Sequence, residues 1–301
     1  MGRPAVPDST DHGVILGHGG PGPLELPCAI LEWMLQTRVL ADVDGVVVRD
    51  VRCCHPPGPA GEPEVCESTA LVLVRRGCFA RWVDGRRLTL CASTAYLQWP
   101  GQEQRFAHPA AVGDECTAIA LNAATFADLF GEQRLLSDPE LPLPAALTVL
   151  HRRILAAEDG DERAELALEV AANVAQIRHR RTRTLARRPL TPAHDRLVAE
   201  AREALATDPT LTLSRLAAQL SVSAHHLSRT FSRASGHGIA QHRIELRICA
   251  ALDRLQEGED NLARLAADLG FADHSHLTRT LHRYTHRTPS ELRRQLRVRV
   301  L

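Results

Sequence analysis

An internal repeat of about 50 residues occupies the C-terminal third of the chain. Each copy has a short apolar stretch at helical spacing, a turn, and a second helical stretch whose outer positions are polar. This order predicts two helix-turn-helix units in tandem. The offset between the copies is 49 residues at the start and 50 at the end, so the second copy is expected to have one more residue in its turn. The matching positions are Leu216 and Leu265, Leu220 and Leu269, Leu227 and Leu277, Arg229 and Arg279, and Phe231 and Leu281.

Residues suited to helix ends flank the repeated stretches. Thr212 and Asp260 are predicted to cap the first helix of each copy, and Ser223 to cap the second helix of the first copy. Gly236 is predicted to end that second helix. Between the copies, "IAQHRIELRICAALDRLQEG" has apolar residues on one side of a helix. A helix of about 18 residues would span about 27 Å, which compares with about 34 Å for one turn of DNA.

The two copies together resemble the DNA-binding domain of AraC/XylS-type transcription regulators. The resemblance covers residues 191–296 and is carried by "LAAQLSVSAHHLSRTFSRASGHG" and "LAADLGFADHSHLTRTLHRYTHRTPSELR". It implies a domain in which a linker helix joins two helix-turn-helix units, and recognition helices that enter adjacent major grooves. The sequence departs from the family pattern at four kinds of position. His286 stands where glycine is usual, His242 where tyrosine is usual, Thr285 where an aromatic residue is common, and Leu277 and Leu281 where phenylalanine is usual.

The outward positions of the two recognition helices are the predicted DNA contacts, because the apolar positions must face inward. Arginine can bond guanine through two atoms, and threonine can offer its methyl group to thymine. The alternatives are an ion pair within the domain for each arginine and a solvated helix surface for each histidine. The predicted base contacts are His225, Ser228, Arg229, His274, Thr278 and Arg279. The predicted phosphate contacts are Ser223, Arg233, Ser275, His282 and Arg283.

Charge is distributed unevenly along the chain, although the formal net charge is zero. From Arg178 to the end there are 22 arginines against 12 acidic residues, whereas residues 1–177 hold 14 arginines against 24 acidic residues. A basic C-terminal part favours a polyanionic partner such as double-stranded DNA. A solvated arginine-rich linker beside an ordinary helical domain is the alternative explanation.

Short strands and turns are predicted from about residue 43 to residue 122. "CFARWVDGRRLTL" is expected to form two strands joined at Asp84-Gly85, a dipeptide typical of hairpins. Several short strands in series favour a small antiparallel barrel or jelly roll. In front of an AraC-like domain, this region resembles the cupin-like effector-sensing region of the same family. The predicted fold class is α+β multidomain, with a cupin-like β-rich domain at 1–140, a helical dimerisation and linker region at 141–190, and the DNA-binding domain at 191–301. Residues 1 to about 25, rich in Gly and Pro, are expected to be poorly ordered.

Residues Leu166, Val170, Val174 and Ile177 form one apolar stripe at helical spacing. Packing on the same chain and self-association of two chains are both compatible with it. The family resemblance implies a homodimer and a small-molecule effector, and RNA polymerase is a further candidate partner.

Seven of the eight cysteines lie in the first 120 residues, and we expect them to be free, buried or metal-bound rather than paired. "RCCHPPGPAGEPEVCE" and "FAHPAAVGDECTAI" suggest an effector or metal site at Cys54, His55, His108 and Cys116. Thiolate and imidazole groups suit zinc or another borderline metal, and thiols can also sense oxidants. Residues 1–140 contain no C-x-x-C pair and no H-x-H with a downstream Glu. The cysteines in strand-like runs could simply be buried side chains.

These patterns together predict a cytoplasmic, sequence-specific transcription regulator with no membrane span, with activation or repression left open. The alternative is an enzyme with an appended DNA-binding domain, either a cupin-type metal enzyme or a DNA-repair methyltransferase. The sequence lacks the metal triad of the first and the Pro-Cys-His context of the second, so no enzyme is predicted. A helix-turn-helix pair that no longer binds DNA is a third possibility, against which the matching Arg229 and Arg279 argue.

Overall fold

The computed structural model describes residues 35–109, 113–131, 140–184 and 191–297. The predicted disorder of the first 25 residues, and the end of the linker at 185–190, lie outside these ranges. The strands within them are β1 (Leu35–Val43), β2 (Val46–Cys53), β3 (Glu64–Val65), β4 (Ala70–Arg76), β5 (Cys78–Val83), β6 (Arg86–Cys91), β7 (Thr94–Gln98), β8 (Glu103–Ala107), β9 (Asp114–Leu121) and β10 (Leu141–Pro142). The helices are α1 (Ala123–Phe130), α2 (Ala145–Ala156), α3 (Gly160–Thr184), α4 (Pro192–Thr207), α5 (Leu213–Gln219), α6 (Ala224–Ser235), α7 (Ile239–Gln256), α8 (Leu262–Asp268), α9 (His274–Thr285) and α10 (Pro289–Leu296).

Two Asp-Gly dipeptides make tight hairpins. Asp84-Gly85 joins β5 to β6 with φ values of 49° and 71°, as predicted. Asp44-Gly45 joins β1 to β2 in the same way, with φ values of 48° and 79°. The β-rich region therefore begins at Leu35, before the predicted start near residue 43, and β1 is a strand that the sequence patterns did not predict.

The strands form two antiparallel sheets, in the orders β1-β2-β9-β4-β7-β10 and β3-β8-β5-β6. Side chains of β4 alternate between the two faces of the larger sheet, as the pleat of a strand requires. Leu71 and Leu73 join a core with the helices, whereas Val72 and Val74 join a core with the smaller sheet. The N-terminal region thus has three layers: helices, a six-stranded sheet and a four-stranded sheet.

The apolar stripe of α3 packs onto the larger sheet. Leu166, Val170 and Val174 are buried in the same core as Val48 and Ile119 of the sheet, with Ile177 packed against it. The stripe is therefore covered within its own chain. Self-association through Leu166, Val170 and Val174 is therefore wrong as an interpretation, because these side chains are buried against the sheet of their own chain.

Two separate cores support the two helix-turn-helix units. Leu216, Leu227 and Phe231 belong to the first core, and Leu265 and Leu277 to the second. Helix α7 supplies side chains to both of them, so it joins the units through packing as well as through the chain.

Side chains of the N-terminal region complete both of these cores. Ala145 and Val149 of α2 pack in the second core. Cys78 and Cys91 lie against the first and form a disulfide. That disulfide contradicts the expectation of unpaired cysteines. The strand register explains it, because Cys78 and Cys91 face each other across the β5–β6 ladder.

Candidate DNA-binding site

Polar side chains begin all four helices of the two units. Ser223 accepts a hydrogen bond from the amide of His226 at 3.1 Å, and Thr212 accepts one from Arg215 at 3.3 Å, so both predicted caps are confirmed. The predicted cap at Asp260 is wrong. Asn261 stands directly before the first helical residue, and its side chain accepts from the amide of Arg264 at 2.9 Å. Asp273, which accepts from the amide of His276 at 2.6 Å, caps α9.

The turns between the helices differ in length, as the repeat offset predicted. Four residues separate α5 from α6, and five separate α8 from α9. Each turn has a residue with positive φ at the matching place, Ser221 at 55° and Gly270 at 68°. A Cβ on Gly270 would lie 3.2 Å from Arg247 Nη2 and from Thr210 Cγ2, so glycine suits both the conformation and the space.

Arg247 of α7 bonds the segment before the first unit and the turn of the second unit. Its Nε donates to the carbonyl of Pro209 at 3.0 Å, and its Nη1 donates to the carbonyl of Gly270 at 3.0 Å. Pro209 lies just before the first unit and Gly270 lies inside the second. The side chain is buried, so its two bonds fix one unit relative to the other. Sequence reasoning placed Arg247 in the linker helix and missed this role, since no local pattern marks an arginine that bonds two distant carbonyls.

The predicted DNA contacts lie on the outer faces of α6 and α9. Leu227, Phe231, Leu277 and Leu281 are completely buried. Among the predicted contacts, Ser228, Ser275 and Thr278 are half-buried and the remainder are exposed: Ser223, His225, Arg229, Arg233, His274, Arg279, His282 and Arg283. Within the described parts of the chain, neither Arg229 nor Arg279 forms an ion pair with an acidic side chain. Both guanidinium groups are therefore available to a ligand.

The acidic side chain next to α9, Asp273, caps the N-terminus of that helix. The bond from the His276 amide, together with Arg279 and His274 nearby, lowers the pKa of Asp273. The carboxylate is therefore committed to the cap, and the outer faces of α6 and α9 themselves carry only basic and neutral side chains. Such a surface suits the phosphates and base edges of a duplex.

The two recognition helices end in the same left-handed conformation with different residues. Gly236 ends α6 at φ 80°, as predicted, and His286 ends α9 at φ 58°. The departure from the family pattern at His286 therefore leaves the geometry of the helix end intact. After it, Thr288 and Glu291 form a reciprocal capping box that begins α10, with Pro289 at its first turn.

A family model described as "Helix-turn-helix domain" matches residues 216–295, the segment that contains both units. The C-terminal domain is a helix-turn-helix domain of the AraC type. Helix-turn-helix domains place a recognition helix in the major groove of DNA, so the match indicates a DNA-binding domain at residues 216–295. The match begins inside α5 and ends inside α10. It therefore takes in both turns, both recognition helices and Arg247.

Solved structures show more distant likeness to the chain. ToxT from Vibrio cholerae is 10% identical, over 84% of this chain and 99% of that one, with a TM-score of 0.36. ToxT from the same organism with a bound unsaturated fatty acid is 13% identical, over 83% and 95%, with a TM-score of 0.33. A cupin domain from Bordetella pertussis Tohama I is 20% identical, over 30% and 94%, with a TM-score of 0.25. Scores at this level do not establish a shared overall arrangement. No curated protein sequence matches the chain.

The predicted effector or metal residues divide into two sets. His55 and His108 lie together, with their rings stacked at a centroid distance of 5.2 Å. They surround Cys53, not Cys54. Cys54 is exposed, because neighbouring residues at the end of β2 point to opposite sides. Cys116 is buried in the core between the sheets and does not join them. Its thiol is 3.9 Å from Asp114 Oδ1, and burial raises its pKa well above the ordinary value.

Asp114 is a partner that sequence reasoning missed. Its Oδ2 lies 2.7 Å from Nδ1 of His108. Burial alone would lower the pKa of His108, but the bonds to Asp114 and Cys53 raise it to about 9. The strand register explains the contact, because Asp114 pairs with Cys53 across β2 and β9, and no local sequence pattern reveals that register.

A second group of titratable side chains lies behind the first recognition helix. His237, His242 and Glu245 have ligand-type atoms within 4.8 Å of one another. Burial, together with Arg202 and His237, lowers the pKa of His242 to about 3. His242 is therefore neutral in the folded protein and packs against Phe231, at a ring centroid distance of 5.4 Å.

Within the described ranges, no helix has both the length and the apolarity that crossing a membrane requires.

Proposed function

We propose that the protein is a one-component transcription regulator that binds a specific duplex site with α6 and α9 together. The observation that carries this proposal is the doubled unit itself. Each copy has a side-chain N-cap, a turn with one positive-φ residue and a recognition helix with a polar outer face. The arginine at the matching position of each copy, Arg229 and Arg279, is exposed and free of an ion pair among the described residues.

Sequence preference comes from the side chains nearest the N-terminal half of each recognition helix. In the first unit these are His225, Ser228 and Arg229, and in the second His274, Thr278 and Arg279. Arg229 and Arg279 each have the fork of donors that matches O6 and N7 of guanine.

Phosphate contacts set the register of the protein on the duplex without adding sequence information. We assign them to Ser223 and Arg233 in the first unit, and to Ser275, His282 and Arg283 in the second. The hydroxyl of Ser223 accepts the cap bond from His226 and retains its own hydrogen to donate to a phosphate.

The linker helix sets the separation of the two units. Helix α7 has 18 residues, which corresponds to about 27 Å of rigid length. That length is compatible with recognition helices about one turn of DNA, or roughly 34 Å, apart. Arg247 restrains the units further, since from the middle of this helix it bonds the segment that leads into the first unit and the turn of the second.

The N-terminal region is in a position to change DNA binding. Arg152 of α2 pairs with Asp253 of α7 at 2.6 Å, and Arg76 of β4 bonds Asp253 and Glu257. A groove lies between the helices of this region and the second unit, lined by Leu147, Arg153, Asn173, Thr285, His286 and Arg287 among others. An effector bound there would touch both parts of the chain. We further propose that the protein forms a homodimer, as the family resemblance implies, and that it contacts RNA polymerase.

Selection from a pool of random duplexes, using the full-length protein, tests the proposal. We expect one consensus with two short conserved blocks whose centres are about 10 base pairs apart, with affinity that falls steeply as salt rises. A variant carrying both Arg229→Ala and Arg279→Ala should select no consensus. Binding of wild type without any sequence preference, or selection of a single short block only, would contradict binding by both units.

A further inference from the structure

Three side chains with metal-ligating atoms meet where two strands end in the N-terminal region. Cys53 is the last residue of β2, His55 follows it by two residues, and His108 directly follows β8. The ligand-type atoms of all three lie within 4.8 Å of one another. Cys53 is buried and the two histidines are half-buried, so the group is shielded from bulk water on one side and open on the other.

The distances fit one small cation between the three atoms. Two ligands bound tetrahedrally to zinc at about 2.0–2.3 Å are about 3.6 Å apart. Cys53 Sγ is 3.5 Å from Nε2 of His108, close to that value. It is 2.9 Å from Nδ1 of His55, so this second pair would have to separate by about 0.7 Å to reach the same value. His55 lies in the loop after β2, where the backbone can make that adjustment.

The orientation of His108 is a second, independent observation. Its Nδ1 is bonded to Asp114 Oδ2 at 2.7 Å, which leaves Nε2 directed at the thiol of Cys53. Histidines that bind metals commonly donate their other ring nitrogen to a carboxylate in this way, which fixes the tautomer and the ring orientation. Asp114 is buried, so this bond is protected from competition by water.

We propose that Cys53, His55 and His108 bind one zinc ion, with Asp114 orienting His108 and with a fourth coordination position open to water. One thiolate and two imidazoles form a donor set that favours zinc over magnesium or calcium. Three protein ligands with one free position are the arrangement of zinc sites that exchange a ligand, whereas purely structural sites use four. The proposal concerns the N-terminal region alone and does not depend on DNA binding.

Binding of zinc to chelator-treated full-length protein tests the proposal, with a coloured chelator as competitor and plasma emission as the count of bound metal. Wild type should bind one equivalent tightly. Cobalt in place of zinc should give a thiolate-to-metal charge-transfer band in the near ultraviolet, together with the strong visible bands of tetrahedral cobalt. The cobalt spectrum reports the thiolate directly and needs no variant.

Adjacent cysteines provide a matched pair of variants. Cys53→Ser should abolish the charge-transfer band and the tight equivalent of zinc, whereas Cys54→Ser, at the exposed neighbouring position, should leave both unchanged. Asp114→Asn should keep the band and weaken zinc binding by about 10–100-fold. His237→Asn removes a member of the other group of ligand-type side chains, beside α6, and should change nothing.

Two results would overturn the proposal without any dependence on the folding of a variant. Wild type that binds no tight equivalent of zinc would do so, and so would cobalt-loaded wild type without a charge-transfer band. If His237→Asn loses tight zinc binding and a folded Cys53→Ser variant retains it, the zinc site is the group of His237, His242 and Glu245 instead. Circular dichroism of each variant is the folding control.

Discussion

His286 is one of five non-glycine residues with positive φ among the residues that the structure describes, and it ends a recognition helix. A side chain in this left-handed region crowds the following carbonyl and costs roughly 1 kcal/mol. At the matching end of α6, Gly236 avoids that cost. The two helix ends can therefore be compared directly, with Gly236 as the reference for the conformational cost of His286.

We expect His286→Gly to raise the free energy of unfolding by about 0.5–1 kcal/mol, because the strain removed exceeds the entropy that glycine adds to the unfolded chain. Gly236→Ala, the mirror experiment, should lower it by about 1 kcal/mol. Denaturant unfolding followed by circular dichroism measures both. A His286→Gly variant less stable than wild type would show that the imidazole makes a compensating contact.

Arg279→Ala should weaken binding to the selected DNA site by about 1–3 kcal/mol and relax the preference at one base pair. The reason is the loss of two hydrogen bonds to one base, which no other side chain of α9 can replace. Fluorescence anisotropy with the consensus duplex and its single-base variants measures the effect. Arg294→Ala on α10 removes the same charge from an exposed position outside both units, and should weaken binding to every duplex by a smaller and uniform amount. Equal effects of the two changes would place Arg279 among the phosphate contacts.

Acidification should destabilise the protein through its buried neutral histidines. Burial lowers the pKa of His242 to about 3 in the folded state, so below pH 6.5 the unfolded chain takes up a proton that the folded chain does not. Stability is therefore lost as the pH falls below 6.5, by about 2 kcal/mol between pH 6.5 and pH 5 from this residue. His242→Phe should reduce the slope. The pH dependence that remains in this variant should come from His151, because burial also holds the pKa of His151 well below its ordinary value. An unchanged slope in His242→Phe would mean that His242 is protonated in the folded protein.

At the level of the helices and strands, the sequence predicted most features that arise within a few residues of one another. The caps at Thr212 and Ser223, the glycine end at Gly236 and the hairpin at Asp84-Gly85 follow from local chemistry and were correct. The extra residue in the second turn followed from comparing the two copies.

Features that depend on distant partners could not be predicted in this way. The choice of Cys53 over Cys54 depends on which face of β2 is buried, which a short sequence pattern does not reveal. The disulfide between Cys78 and Cys91 required the pairing register of β5 and β6. Arg247 bonds carbonyls 38 and 23 residues away in the chain, a separation that no local pattern encodes.

The elements of the two units are linked by Arg247, and we expect Arg247→Met to test that linkage. The apolar stem is retained, but the carbonyls of Pro209 and Gly270 lose their donors, so stability should fall by about 1–3 kcal/mol. Binding to the two-block site should weaken more than binding to either block alone. Arg243→Met is the matched control, because Arg243 lies on the same helix, is only half-buried and makes one long bond of 3.5 Å to the Thr210 carbonyl. Similar losses from the two changes would show that Arg247 acts only as a general surface charge.

On the scale of the whole molecule, the buried pair between Arg152 and Asp253 joins helix α2, which follows the β-rich region, to the DNA-binding domain. The Arg152 side chain is 1% exposed and that of Asp253 is 14% exposed. Asp253→Ala leaves a buried guanidinium without its counter-charge and should cost about 3–5 kcal/mol.

Glu257→Ala is the control for Asp253, since Glu257 also pairs across the same contact but its side chain is 55% exposed. An exposed pair contributes about 0–1 kcal/mol, so this variant should remain close to wild type. Calorimetry of the full chain measures both, and Asp253→Ala should also weaken the coupling between the two parts and separate their transitions. A single unchanged transition in that variant would show that the apolar contacts alone hold the parts together.

Because the second turn has one additional residue, the two helix-turn-helix units differ in structure and would not bind the same half-site in the same way. Their outward side chains also differ, with Ser228 in one where Thr278 stands in the other. One copy of the chain consequently binds an asymmetric DNA site in a single orientation. Inverting an asymmetric site relative to a promoter would point the β-rich region upstream instead of downstream, so a lone protomer could distinguish the orientation of a gene.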